Sequence, residues 1–254
     1  MCLITFQWQP DADNRLILSA NRDEFLNRPA LALHAWPEAK GVYAGKDLSQ
    51  GGTWLGIHKD GRFAALTNHR DMRSQGPENP ISRGNLVLNF LTSNVSALEY
   101  LQTLAESSTQ YAGYNLLVAD KQQLAYFSNK STAPARILAP GLYGLSNGLL
   151  DTPWPKVESA KRSLAAWLNQ HPDDQASLCN LLTSTRIADD ALLPDTGIDL
   201  PMERILSSEK IITPNYGTRC STGLTLGKKS ICIEEISWLS TGEEESFQHH
   251  FIQA

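Results

Sequence analysis

The strongest constraint on the fold is where two hydrophobic periodicities fall along the chain. Loosely alternating, β-rich segments crowd both ends, and most of the helical spacing lies in the middle. At the amino end, Cys2–Trp8 and Arg15–Asn21 flank the turn cluster Pro10-Asp11-Ala12-Asp13-Asn14. This predicts a hairpin that returns Asn21–Glu24 beside Cys2. At the far end Lys210–Thr213, Thr218–Leu226, Ser230–Trp238 and Ser246–Ile252 read as strands, with Gly227-Lys228-Lys229 as a tight turn. Trp54–His58 with Arg62–Asn68, and Tyr114–Ala119 with Leu124–Ser128, predict two more hairpins, the first around an Asp60-Gly61 turn. Helices are expected over Arg83–Leu91 after Ser82 and over Ala97–Ala105 after Ser96, both serines being suitable caps. Trp154–Leu168 is amphipathic, with Val157, Ala160, Leu164 and Trp167 on one face and Lys156, Lys161 and Arg162 opposite. A shorter helix is expected near Ala176–Leu182. A parallel nucleotide-binding sheet requires regular βαβ alternation, which this pattern lacks. The expectation is one α+β domain over residues 1–254 with antiparallel sheets.

Composition narrows the class of function. At 254 residues, 41% hydrophobic and 19% charged, the chain has enough apolar material for a substantial core. The net charge of −5, with no Lys/Arg run, argues against nucleic acid or anionic membrane as the main partner. No segment approaches the ~20 apolar residues of a transmembrane helix. The amino end has no positive n-region, and Asp11, Asp13 and Asn14 break its apolar run, so it does not read as a signal peptide. The cysteines (Cys2, Cys179, Cys220 and Cys232) form no C-x-x-C pair, and the histidines show no H-x-x-x-H spacing. Neither a metal site nor a cofactor is expected, and reduced thiols suit a cytoplasmic location.

One position stands out chemically. Cys2 directly follows Met1, so removal of Met1 leaves a thiol and a free α-amine on one residue. An α-amine titrates near ~7.7–8.0 and can exchange a proton at neutral pH. Nucleophile and base would then share a residue, as in enzymes whose N-terminal amine activates a side chain. The bland alternative is a core cysteine heading a strand. Asn21-Arg22-Asp23-Glu24 closes the second strand; these charges either meet solvent, or pair Asp23 with the Cys2 ammonium and Arg22 with the thiolate. Side-chain alternation favours Asp23 facing Cys2 and Arg22 projecting away. Asn68 and Asn147 lie in turn-like segments and are either turn residues or amide donors to an oxyanion. Arg219 is either a surface charge or a bidentate carboxylate ligand.

Eight ordered segments carry a resemblance: Met1-Cys2, RLILSANRDEF (15–25), GGTWLGI (51–57), AALTN (64–68), SRG (82–84), YGLSN (143–147), TPWPK (152–156) and YGTR (216–219). The chain resembles the NRDE family, also called the Transport and Golgi organisation 2 family. That resemblance implies an N-terminal nucleophile (Ntn) hydrolase fold, an αββα sandwich of two mainly antiparallel sheets between helical layers. It is similar, more distantly, to the cysteine amidases that cleave penicillin V and conjugated bile salts. By that likeness Cys2 is the nucleophile, Asp23 holds its amine, Arg22 supports the thiolate, Asn147 completes the oxyanion hole and Arg219 steadies the site. Asn68, Asn21 and Trp54 are the candidate substrate contacts. Arg22 and Asp23 are adjacent here, whereas the amidases separate them.

Two principal readings follow. The first is an Ntn-type cysteine hydrolase acting on a small amide or acyl substrate. The second is a non-catalytic carrier of haem or another hydrophobic ligand on the same fold, since family members are associated with haem mobilisation and with lipid and acyl-CoA homeostasis. Cys2 and His69 are its candidate axial ligands, although no cysteine of the chain precedes a proline as in the short haem-contact motif. An interaction module is a third reading, supported by the acidic tail alone.

Overall fold

Alternating apolar side chains build two antiparallel sheets that share one core. The computed structural model describes residues 2–170 and 178–253. One sheet comprises β1 (Cys2–Trp8), β2 (Asn14–Phe25), β10 (Gly141–Leu145), β11 (Tyr216–Gly227), β12 (Ser230–Trp238) and β13 (Glu244–Gln253). Their spatial order is β10-β1-β2-β11-β12-β13. The other comprises β3 (Ala30–Ala35), β4 (Val42–Asp47), β5 (Leu55–His58), β6 (Phe63–Asn68), β7 (Tyr114–Ala119), β8 (Leu124–Ser128) and β9 (Arg136–Ile137), arranged in chain order.

Ile4, Phe6 and Trp8 of β1 and Leu16 and Leu18 of β2 face Leu55, Ile57, Phe63 and Leu117 across the sandwich. These side chains are almost wholly buried, and each contributes about 1.5–3 kcal/mol relative to exposure. Helices α1 (Gly84–Thr92) and α2 (Ala97–Ser107) cover the outer face of the seven-stranded sheet through a second core around Phe90, Leu101 and Tyr114. Helix α3 (Pro155–Gln170) covers the six-stranded sheet, packing Val157 and Ala160 on Leu3. A short α4 (Leu200–Leu206), capped by Asp199 through the amide of Met202, leads toward β11. The layers are thus helix, sheet, sheet, helix, as the family resemblance implied.

Several local expectations are corrected. β3 and β4 occupy a stretch punctuated by Pro29, Pro37 and Gly41, and its strand periodicity is masked by those breakers. α1 starts one residue later than expected, with Arg83 at its N-cap and no side-chain cap, whereas Ser96 does accept a hydrogen bond from the Glu99 amide at the start of α2. The strand expected at Lys210–Thr213 reduces to one bridge between Ile212 and Gly217. The helix expected near Ala176–Leu182 falls partly outside the described residues; within them, Leu178–Asn180 is a single 3-10 turn.

Candidate functional site

The site begins with the register of β1 on β2. Cys2 lies directly opposite Arg22 and Leu3 opposite Asn21. Opposed residues of an antiparallel pair project to the same face. Cys2 is in phase with Ile4 and Phe6, so its side chain faces the second sheet, and Arg22 shares that face. The expectation that Arg22 projects away from Cys2 is therefore reversed. The same level continues across the sheet: Arg22 pairs with Cys220, Cys220 with Ser237, and Ser237 with Ser246. All five residues of this row line one cleft of about 450 Å³.

The opposing wall comes from the seven-stranded sheet and from α1, and includes Thr53, Trp54, Asn68, Ser82 and Arg83. A close backbone contact joins its two parts. A Cβ on Gly52 would lie 2.6 Å from the Gly84 carbonyl carbon, so only glycine permits this approach. The GGTW and SRG segments are thereby locked together, with Trp54 and Arg83 on either side of the contact. Trp54 also packs on the inter-sheet core.

Arg219 is the extra residue of a β-bulge, because Thr218 pairs with Asp23 while Cys220 pairs with Arg22. Its Nη1 donates to the carbonyl oxygens of Phe25 (3.2 Å), Leu26 (3.0 Å) and Arg28 (3.0 Å). It lines the cleft and ties down the turn after β2. Asn147 takes a different place from the one expected. It is fully buried, is absent from the cleft lining, and donates through Nδ2 to the Asn68 carbonyl at 2.9 Å. Its neighbour Ser146 donates to the Cys2 carbonyl at 2.9 Å. Asn147 thus supports Asn68, and it is Asn68 that reaches the cleft.

Asn21 and Asp23 fall on the other face of β2, beneath α3. Asn21 is wholly buried; its Nδ2 donates to the carbonyls of Leu182 (2.7 Å) and Glu209 (2.8 Å), and its Oδ1 accepts from Ser221 (2.6 Å). It is a structural residue and takes no part in the cleft lining, a correction to its candidacy as a substrate contact. Asp23 is 1% exposed and accepts from the Thr218 hydroxyl at 2.7 Å. It touches the cleft only where β2 ends. The β1–β2 ladder stops at Cys2, so the Cys2 nitrogen leaves the ladder at the level of Asp23.

A buried lysine completes this second face. Lys156, expected on the solvent side of α3, is 3% exposed, and among the described residues its Nζ has no hydrogen-bond partner. At helical spacing it shares a stripe with Ala160, Leu164 and Trp167, all buried against the sheet, so the period itself carries it inward. Nearby, Arg70 pairs with Glu203 at 2.7 Å and lies 4.9 Å from the centre of the Trp154 ring.

Burial governs the proton affinities here. It pushes the Cys2 thiol up to about 11, outweighing the favourable charges of the amino terminus and, less strongly, Arg22. It raises the Asp23 carboxyl as well, with Lys156 and the Thr218 hydroxyl opposing. It pushes the Lys156 ammonium down to about 8 against the pull of Asp23. Glu235, which accepts from the Leu33 amide at 2.7 Å, is likewise raised by burial. Cys2 is accordingly a neutral thiol at pH 7 and needs a base to become a nucleophile. Among the described residues, no group of three or more His, Cys, Asp or Glu side chains is arranged to hold a metal. His69 does not line the cleft that Cys2 lines.

The chain matches the Transport and Golgi organisation 2 family over residues 1–236. It belongs to that family. Relatives include the Transport and Golgi organization protein 2 homologs of Bos taurus, 38% identical, and Homo sapiens, 36% identical, each match covering 87% of both chains. Among solved structures, a mutant of the conjugated bile acid hydrolase from Clostridium perfringens is similar, with a TM-score of 0.53 at 9% identity. That match covers 100% of this chain and 96% of the other. This family member therefore has the fold of the Ntn hydrolases. Sequence reasoning missed Arg83, Cys220, Glu235 and Lys156; the SRG and TPWPK segments signalled the first and last of these, and nothing in the sequence spacing signalled the other two.

Proposed function

We propose that the protein is an Ntn-type cysteine hydrolase acting on a small, non-peptide amide or acyl compound. One observation carries this reading. Cys2 heads an internal strand, its side chain faces the cleft, and its nitrogen leaves the ladder at Asp23. Once Met1 is removed, the α-amine takes the thiol proton as sulfur attacks the carbonyl carbon. Asn68, held by Asn147, offers an amide to the oxyanion. The tetrahedral adduct then collapses: the C–N bond breaks, and the leaving nitrogen receives the proton from the α-ammonium. Water, deprotonated by the same amine, attacks the thioester, and its proton passes back to sulfur as the acid departs. The fold likeness to a bile acid hydrolase supports this reading only as far as the architecture. For the haem-carrier alternative this cleft offers Cys2 alone of the two candidate ligands, because His69 does not line it.

The test begins with intact mass, which should show Met1 absent. In that form Cys2 should react with iodoacetamide faster than Cys179 or Cys232. All three thiols are buried and raised, Cys2 and Cys232 to about 11 and Cys179 to about 12, so a faster Cys2 reports the α-amine acting as its base. Cys2→Ala should keep the fold and abolish amide turnover. Equal labelling of these thiols, or an unchanged turnover rate in Cys2→Ala, ends the proposal.

A further inference from the structure

Of the cations lining the cleft, Arg22, Arg28 and Lys46 are each committed to a carboxylate. Arg22 pairs with Glu24 at 3.5 Å, Arg28 with Asp47 at 2.6 Å, and Lys46 with Glu38. Arg219 is wrapped by three backbone carbonyls. Arg83 differs. Among the described residues it forms no ion pair, and one of its N–H groups donates to the Gly113 carbonyl at 2.9 Å. Burial lowers its proton affinity, and the largest opposing influence is Cys2 itself, ahead of Glu24. A guanidinium carries five donors in a planar fork. A carboxylate or phosphate matches that fork bidentately. The uncapped amino end of α1 adds a partial positive charge beside it, smaller than the full charge of Arg83.

We propose that Arg83 is an anion anchor, binding a carboxylate or phosphate group of the compound whose acyl carbon reaches Cys2. The assignment of that compound as a substrate rests on the hydrolase reading; the anion site does not. The ligand class is therefore an anionic amide or acyl compound, with its charge on the α1 side of the sulfur. The Gly52–Gly84 contact fixes the segment that carries Arg83, so the anchor is held in place before a ligand arrives.

Paired alkylating probes test this without turnover. Iodoacetate and iodoacetamide deliver the same carbon to sulfur and differ in charge. At Cys2 the rate ratio of iodoacetate to iodoacetamide, normalised to free cysteine, should exceed one. In Arg83→Gln the ratio of the iodoacetate rate to the iodoacetamide rate should fall about tenfold, since a changed thiolate fraction slows both reagents alike and cancels in the ratio, and Arg83→Lys should recover part of it. In the unsubstituted protein, added sodium acetate should slow iodoacetate and spare iodoacetamide, a readout that does not depend on the variant folding. An unchanged ratio in Arg83→Gln, a loss seen only in Arg219→Gln, or no alkylation of Cys2 by either reagent each overturns the anchor. A ratio effect without amide turnover retains the anion site and removes the hydrolase.

Discussion

The two faces of β2 near its carboxyl end do opposite work with neighbouring residues. Arg22 and Glu24 belong to the cleft, where their ion pair keeps partial contact with solvent. Asn21 and Asp23 sit under α3, nearly sealed from water, in a neighbourhood that also holds Lys156 and the Arg70–Glu203 pair. One face opens onto the cleft. The other maintains charge and hydrogen bonds inside the molecule, where an unmatched group is costly. A strand's period of two converts four consecutive polar residues into two separate devices.

The comparison fails if substitutions on the sealed face prove as mild as those on the open one. The largest effect is expected at Asn21. Asn21→Ala removes three buried hydrogen bonds and should cost about 3 kcal/mol or more in chemical unfolding. A loss below about 1 kcal/mol would mean that water replaces the amide.

Lys156 sharpens the comparison through pH. Its ammonium is pushed from 10.5 down to about 8 in the folded protein, so the unfolded chain binds the proton more tightly between those values. Stability relative to Lys156→Met should therefore rise with pH through that window and fall again as pH drops to about 8. The difference in unfolding free energy between pH 7.5 and pH 10.5 should approach about 3 kcal/mol. A flat difference would show that the lysine is solvated.

The smallest effect belongs to the open face. Arg22→Gln should cost about 1 kcal/mol or less, because Glu24 keeps a contact with Arg28 at 3.8 Å. It should still slow alkylation of Cys2 at fixed pH, since Arg22 is one of the charges that lower the thiol's titration. If stability falls much more than reactivity, Arg22 belongs with the sealed residues.

How far the sequence revealed this depends on the kind of signal. β1, β7, β8 and β12 fall where alternation and turns placed them, since their patterns are local. β10 escaped notice because Gly141 and Gly144 read as loop. The open row of Cys2, Arg22, Cys220, Ser237 and Ser246 spans more than two hundred positions of sequence and exists only through strand pairing. Lys156 was hidden by a rule that is usually sound, that lysines on an amphipathic helix meet water. Asn68 and Asn147 were both found as residues, but their placement was not: a hydrogen bond from the Asn147 side chain to the Asn68 carbonyl, invisible in sequence, sets Asn147 behind Asn68 and leaves only Asn68 in the cleft lining.

The position of β1 has a practical consequence for anyone handling the protein. Most strands reach the sheet from a surface turn, yet β1 starts in the interior, between β10 and β2, with its first side chain in the cleft. Residues fused ahead of Cys2 extend from a strand end that lines the cleft, and a purification tag placed there should compete with any ligand of that cleft. The other terminus follows β13, the outermost strand of its sheet and largely exposed. Handles, fluorophores and surface attachments belong at that end, and preparations that differ only in which end carries the tag should behave as two different proteins in any binding assay.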